Sequence, residues 1–239
     1  MPSAQIRQHQ RRTKTSSRCV ALFTKPATPG EVKTRLIGRL TPAQAADLHG
    51  AFLRDLSQRL ARGEFDLRIA WALESGALPP DSEIAALVQE GNELGERLYR
   101  ALSHLSRSYP LVAAVGSDHP ELPLSRVHNA FDRLEADADV VLGPAHDGGY
   151  YLIAVRREAL KRALFTGIEW SGPSVLEATL KRCRNLGLRT ELLEAAFDVD
   201  TPEDLDRLDA RLSLDPGIEC PQTRALLDDW RKGGRNEDS

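Results

Sequence analysis

At 239 residues, with 41% hydrophobic and 28% charged side chains, the chain is long enough to bury a full core as one large domain or two small ones. Its net charge of −3 hides an asymmetry: residues 1–18 carry Arg7, Arg11, Arg12, Lys14 and Arg18 with no acid, so the body is more acidic still, which argues against a nucleic-acid partner. No run of 18 apolar residues could span a membrane, the basic start lacks the apolar stretch of a secretory signal, and Cys19, Cys183 and Cys220 are too dispersed for a zinc site, so the expectation is a cytoplasmic protein with free thiols.

Residues 1–17 read as a disordered basic tail, residues 18–212 as one α/β domain, and residues 213–239 as a C-terminal extension with a helix and a frayed end. Unbroken apolar runs predict strands at Cys19–Phe23, Leu67–Leu73, Leu111–Val115, Val140–Leu142, Tyr150–Val155 and Thr190–Leu193. Runs without alternation suit strands covered on both faces. Between them, Thr41-Pro42-Ala43-Gln44 has the N-cap, the first-position proline and the reciprocal Gln of a capping box, opening a helix to about Ala61. Further helices are predicted at Ser82–Gln89, Gly95–Leu105, Ser125–Leu134, Glu158–Leu164 and Ser174–Leu186. A second cap, Thr201-Pro202-Glu203-Asp204, precedes Leu205 and Leu208. Strands alternating with helices predict a three-layer α/β/α arrangement around a mostly parallel sheet, whose ligands bind outside the carboxyl ends of the strands.

The residues after each strand are therefore the informative ones. The first strand empties into Lys25-Pro-Ala-Thr-Pro-Gly30-Glu-Val-Lys33-Thr-Arg35, three cations in a loop stiffened by two prolines. Arginine's fork and lysine's point charge both suit phosphate, and the prolines lower the entropy lost on ordering the loop. Acids follow three other strands, in Gly116-Ser117-Asp118, in Asp147-Gly148-Gly149 and in Asp198-Val199-Asp200. Mg²⁺ or Mn²⁺ takes one or two carboxylates together with phosphate oxygens, which nominates Asp118 and Asp200 as metal ligands and Asp118, Lys33 and Asp147 as the catalytic set. Asp147-Gly148-Gly149 reads either as an acceptor-side loop, with Asp147 taking a proton from an attacking hydroxyl, or as a plain glycine turn. Trp170 reads either as a platform for a sugar or base or as a core-edge residue.

Four strings taken together resemble the DUF2064 family: Lys25-Pro-x-x-Pro-Gly-x-Val-Lys-Thr-Arg-Leu36, Gly116-Ser-Asp-x-Pro-x-Leu122, Leu142-Gly-Pro-x-x-Asp-Gly-Gly-Tyr-Tyr-Leu152 and Asp198-Val-Asp-Thr-Pro-Glu-Asp-Leu205. The resemblance implies a glycosyltransferase-A-like, or nucleotide-diphospho-sugar transferase, fold related to the molybdopterin-cofactor and phospholactate guanylyltransferases. It further implies nucleotide contacts from Lys25, Gly30, Lys33 and Arg35, metal ligation by Asp118 and Asp200, and an acceptor site at Asp147, Gly148, Gly149 and Trp170. Gly30 stands alone among prolines where the related enzymes are glycine-richer, so side chains rather than backbone amides are expected to hold phosphate.

The function expected first on that resemblance is glycosyl transfer from a nucleotide sugar to a small-molecule acceptor. Nucleotidyl transfer from a nucleoside triphosphate is the alternative, and a non-catalytic nucleotide-binding protein the third reading. A homodimer is compatible with any of them. A dehalogenase-type phosphatase, suggested by Asp198-Val-Asp-Thr, is disfavoured because the string falls near residue 200 with little chain left, and no GxGxxG follows a strand to suggest a dehydrogenase.

Overall fold

The computed structural model describes residues 16–170 and 172–234. Seven strands form one sheet in the order β3-β2-β1-β4-β6-β5-β7, with β1 Arg18–Thr24, β2 Asp66–Trp71, β3 Ala86–Val88, β4 Leu111–Gly116, β5 Val140–Pro144, β6 Tyr150–Arg156 and β7 Thr190–Leu192. Every strand pair is parallel except those made by β6, which runs antiparallel to both β4 and β5. The helices are α1 Pro42–Leu60, α2 Leu94–Ser106, α3 Leu124–Ala136, α4 Val175–Asn185, α5 Pro202–Leu214 and α6 Pro221–Gly234.

Successive side chains of a strand point to opposite faces, and β1 shows how the layers arise. Val20 and Leu22 join Leu56 and Leu60 of α1 and Phe131 and Leu134 of α3 on one face. Cys19, Ala21 and Phe23 join Leu98 and Leu102 of α2 and Cys183 of α4 on the other. The other side of α1, through Leu48 and Phe52, packs with Leu205 and Leu208 of α5 and Leu227 of α6. α6 is anchored at its start by buried Asp55 of α1, which accepts from the backbone N–H groups of Gln222 and Thr223 at 2.9 and 2.8 Å. The stretch expected as an extension thus holds the end of α5 and a helix packed on α1. The expected basic tail lies outside the described residues except at positions 16 and 17.

Both capping boxes form as the sequence reads, Thr41 with Gln44 and Thr201 with Asp204. Two helix predictions are corrected. The predicted helix at Ser82–Gln89 is an extended segment whose Ala86–Val88 pairs in parallel with Ile69–Trp71; completing the sheet edge outweighs the helix propensity of Ala and Leu over so short a run. The predicted helix at Glu158–Leu164 breaks into two 3₁₀ turns, Arg157–Ala159 and Arg162–Leu164, because Leu160 between them is extended. No helix of the described residues is long and apolar enough to cross a membrane.

Candidate functional site

A cavity of about 530 Å³ opens at the carboxyl edge of the sheet, over β1 and β4. Its lining includes Lys25, Lys33, Arg35, Asp118 and Asp200, all singled out from sequence as candidate phosphate or metal contacts. They come from three separate stretches of chain, and sheet order is what gathers them: β1 and β4 are neighbours, and the backbone N–H of Val199 donates to Asp118 O at 2.9 Å, tying the loop before α5 to the loop after β4.

The loop after β1 is built by short-range bonds, Thr28 N–H to Pro26 O and Glu31 N–H to Thr28 O, with Gly30 at φ 85°. Buried Val32 and Leu36 pin its far end. Gly30 itself is exposed in this loop and does not line the cavity. Lys25 and Arg35 are exposed, and neither forms an ion pair among the described residues. Both cations are free for an incoming anion.

Lys33 is placed differently. Its backbone is left-handed at φ 48°, the one such non-glycine residue among those described, and its side chain is 2% exposed. The ammonium donates to Val199 O at 2.7 Å and to Asp200 Oδ1 at 3.1 Å, and pairs with Asp118 Oδ1. Burial works against its charge, but the two carboxylates outweigh burial and raise its pKa. Burial likewise works against the Asp118 carboxylate, yet Lys33 holds its pKa below the usual range. Lys33 is expected from sequence at phosphate; in the structure its three hydrogens are committed to the acid loops, so it organises those carboxylates.

Asp198 also lines the cavity, and its carboxyl is pushed up to about 7 by burial and then by Asp118, Asp200 and Asp147. Asp198 stands beside a pair of carboxylates, Asp118 and Asp200, that share one buried ammonium. Among the described residues no three His, Cys, Asp or Glu converge as an all-protein metal cage. A cation that takes two carboxylates plus phosphate oxygens needs no such cage. Asp118 and Asp200, 44% and 36% exposed at their side chains, each retain an oxygen that Lys33 does not engage. That donor set of hard oxygens, with more negative charge than Lys33 neutralises, fits Mg²⁺ or Mn²⁺.

His49 of α1 and Gln89, which follows β3, line the cavity and were not singled out from sequence. The His49 Nε2–H donates to Lys25 O at 3.1 Å, so the ring fixes the start of the cationic loop. Burial lowers its pKa, and its Nδ1 is buried without a partner, as suits a neutral ring. The only local cue to Gln89 was its place after an apolar Leu87-Val88 pair, which read as strand would have set it on the carboxyl edge. His119, the loop histidine beside Asp118, is buried, donates from Nδ1 to Phe197 O at 2.9 Å, and is pushed down to about 4 chiefly by burial.

The acceptor-side set is not gathered around the cavity. Asp147, Gly148 and Gly149 form the turn between β5 and β6, where Asp147 Oδ1 accepts from Gly149 N–H at 2.9 Å. Gly148, at φ 91°, lies so close to Pro173 that a Cβ would meet its carbonyl oxygen at 1.8 Å, and its own carbonyl accepts from Leu176 N–H of α4. Of the two readings of Trp170, its surroundings match the core-edge one: it stacks on Phe165 with centroids 6.4 Å apart, meets Tyr150 edge-on, and fills the space left by the missing side chain of Gly95.

Known proteins resemble the chain as follows. Residues 57–172 match the family described as an uncharacterized protein conserved in bacteria, DUF2064. The chain is 25% identical over 180 residues to the 2-phospho-L-lactate guanylyltransferase of Methanocella arvoryzae, covering 74% of each protein. It is 28% identical over 184 residues to that of Methanothermobacter thermautotrophicus, covering 74% of this chain and 78% of the relative. A crystal structure from Desulfovibrio desulfuricans G20, provisionally described as a nucleotide-diphospho-sugar transferase, superposes with a TM-score of 0.84 at 34% identity over 90% of this chain and 95% of that one.

Proposed function

The chain belongs to the DUF2064 family and is a transferase on the nucleotide-diphospho-sugar transferase fold, and from that premise we propose that it transfers a nucleotidyl group from a nucleoside triphosphate to a small-molecule acceptor. The observation that carries this reading is the cavity itself, lined both by Lys25 and Arg35, which form no ion pair among the described residues, and by the Asp118–Lys33–Asp200 cluster. The two guanylyltransferase relatives, each aligned over 74% of the chain, support nucleotidyl transfer over other chemistries.

In that reaction an acceptor oxygen forms a bond to the α-phosphorus, the bond from that phosphorus to the bridging oxygen breaks, and pyrophosphate leaves. Lys25 and Arg35 hold the phosphates and balance the charge that grows on the leaving group. Lys33 fixes the two carboxylates before any ligand arrives, so they need not reorganise during reaction. Asp118 and Asp200 would hold Mg²⁺ or Mn²⁺, which when bound supplies further neutralisation of phosphate charge. Asp147 does not line the cavity but is exposed at the neighbouring turn, close enough that its charge helps raise the pKa of Asp198, and is the candidate to accept a proton from a hydroxyl acceptor.

Glycosyl transfer is the second reading, favoured by the description of the Desulfovibrio relative. Trp170, read from sequence either as a platform for a sugar or base or as a core-edge residue, packs on Phe165 and lends this reading no support. The deciding experiment is thermal unfolding of the full chain with nucleoside triphosphates, diphosphates and nucleotide sugars, each with and without Mn²⁺. A ligand at about 100 times Kd adds about 2.7 kcal/mol. Mn²⁺-dependent stabilisation by a triphosphate beyond every nucleotide sugar supports nucleotidyl transfer, whereas a nucleotide sugar that outperforms its parent diphosphate and all triphosphates reverses the order.

A further inference from the structure

Gln89 lies at the β3 end of the cavity, its backbone N–H donating to Trp71 O at 2.8 Å. Its side-chain nitrogen donates to Ala70 O at 2.8 Å and to Thr24 O at 3.2 Å. Both partners are backbone carbonyls, which only accept, so the amide has one orientation and both of its hydrogens are spent. The oxygen that remains, Oε1, has no partner among the described residues and can only accept. It is a fixed acceptor on the wall of a cavity whose other polar groups, around Lys25 and Arg35, suit phosphate.

The same end of the cavity carries two more groups. Arg97 of α2 donates from Nε to Gly91 O at 2.9 Å, which anchors its stem and leaves its two terminal nitrogens without partners among the described residues. Leu94, 44% exposed, adds an apolar surface beside them. β3 and β4 are three strand spacings apart in the sheet, roughly 14 Å, so a nucleotide with its phosphates over β1 and β4 lays its base toward β3.

We propose that Gln89 reads the base of the donor nucleotide, with Arg97 as its companion, and that the base selected is guanine. Guanine's Watson–Crick edge offers N–H donors to a fixed acceptor, and its O6 and N7 form the acceptor pair that suits an arginine fork. Adenine pairs best with a glutamine that offers oxygen and nitrogen together, and this glutamine has no N–H to give. Uracil and cytosine lack the O6/N7 pair. The proposal rests on the nucleotidyl-transfer reading and deepens it by naming the base.

The test is equilibrium titration of the full chain with GTP, ATP, CTP, UTP and inorganic tripolyphosphate, which probes the phosphate subsite with no base attached. GTP is expected to bind at least roughly tenfold more tightly than the other nucleotides, the scale set by one unsatisfied base donor. Gln89→Met should weaken GTP about tenfold while leaving tripolyphosphate unchanged, and Arg97→Met, which leaves the β3 clamp intact, should independently narrow the gap between GTP and ATP. Equal binding of all four nucleotides, selectivity unaltered in both variants, or a loss of tripolyphosphate affinity parallel to that of GTP in Gln89→Met would each overturn the assignment. Failure of the wild-type chain to bind either tripolyphosphate or any nucleotide would instead strike the nucleotidyl reading beneath it.

Discussion

The Lys33 ammonium donates to Asp200 Oδ1 at 3.1 Å while also pairing with Asp118, from a backbone held at φ 48°. Two carboxylates set close together need that charge. Removing one member of a buried ionic cluster leaves the others uncompensated. Lys33→Met is therefore expected to lower stability by about 2 kcal/mol, since both acids retain some solvent, and adding Asp200→Asn should recover part of the loss. Urea unfolding with an unchanged m-value reads both effects.

Asp118→Asn keeps the size of the side chain and removes the charge that a divalent cation would need. The variant is expected to unfold cooperatively but to lose the Mn²⁺-dependent part of nucleotide stabilisation. Titrating Mn²⁺ against the nucleotide-bound protein and following the melting temperature separates this from a general loss of nucleotide affinity.

Lys25 and Arg35 are exposed and form no ion pair among the described residues, so truncating them should cost the free protein less than about 0.5 kcal/mol. Their contribution belongs to the ligand. Each alanine variant is expected to weaken triphosphate binding by about 1.5–3 kcal/mol, the range for charge-assisted bonds. The salt dependence of binding should flatten in parallel, which calorimetry at two ionic strengths measures.

His49 gives the fold a pH dependence whose sign follows from its burial. Its folded pKa lies below the unfolded value, so the unfolded chain takes up the proton first as pH falls. Stability is thus undiminished above about pH 6.5 and declines as pH drops from there toward the folded pKa. His49→Gln should show a shallower fall in melting temperature between about pH 7 and pH 5, at constant ionic strength.

Gly148 combines φ 91° with a Cβ position 1.8 Å from Pro173 O, and backbone atoms cannot yield as a side-chain tip can. Gly148→Ala is expected to destabilise by at least about 2 kcal/mol. If chemical denaturation finds it neutral, the turn is looser than this packing describes.

Much of the architecture was legible because the sheet is covered on both faces and its strands therefore read as unbroken apolar runs. β3 was not, since Ala86, Leu87 and Val88 carry no strand signature of their own and extend only because β2 offers an open edge. The positions of Asp118 and Asp200 followed from the rule that loops after strands hold ligands. The partner of Asp200 did not: Lys33 stands 167 residues away, and nothing local distinguishes a lysine bound for phosphate from one that will be buried among acids. Trp170 was ambiguous for the opposite reason. Its role was decided by Gly95 and Phe165, whose proximity no spacing in the sequence reveals.

The capping box that begins α5 reaches past its own helix. Asp204 Oδ2 accepts from the backbone N–H of Thr201 at 3.0 Å and of Asp200 at 3.3 Å, so the carboxylate that starts the helix also holds the backbone of the residue facing Lys33. Residues 200–204 are at once a structural terminus and, through Asp200, the source of one of the two carboxylates paired with Lys33. Selection on folding and selection on the cavity act here on the same atoms, and drift in the cap would detune the site before it unfolded the protein.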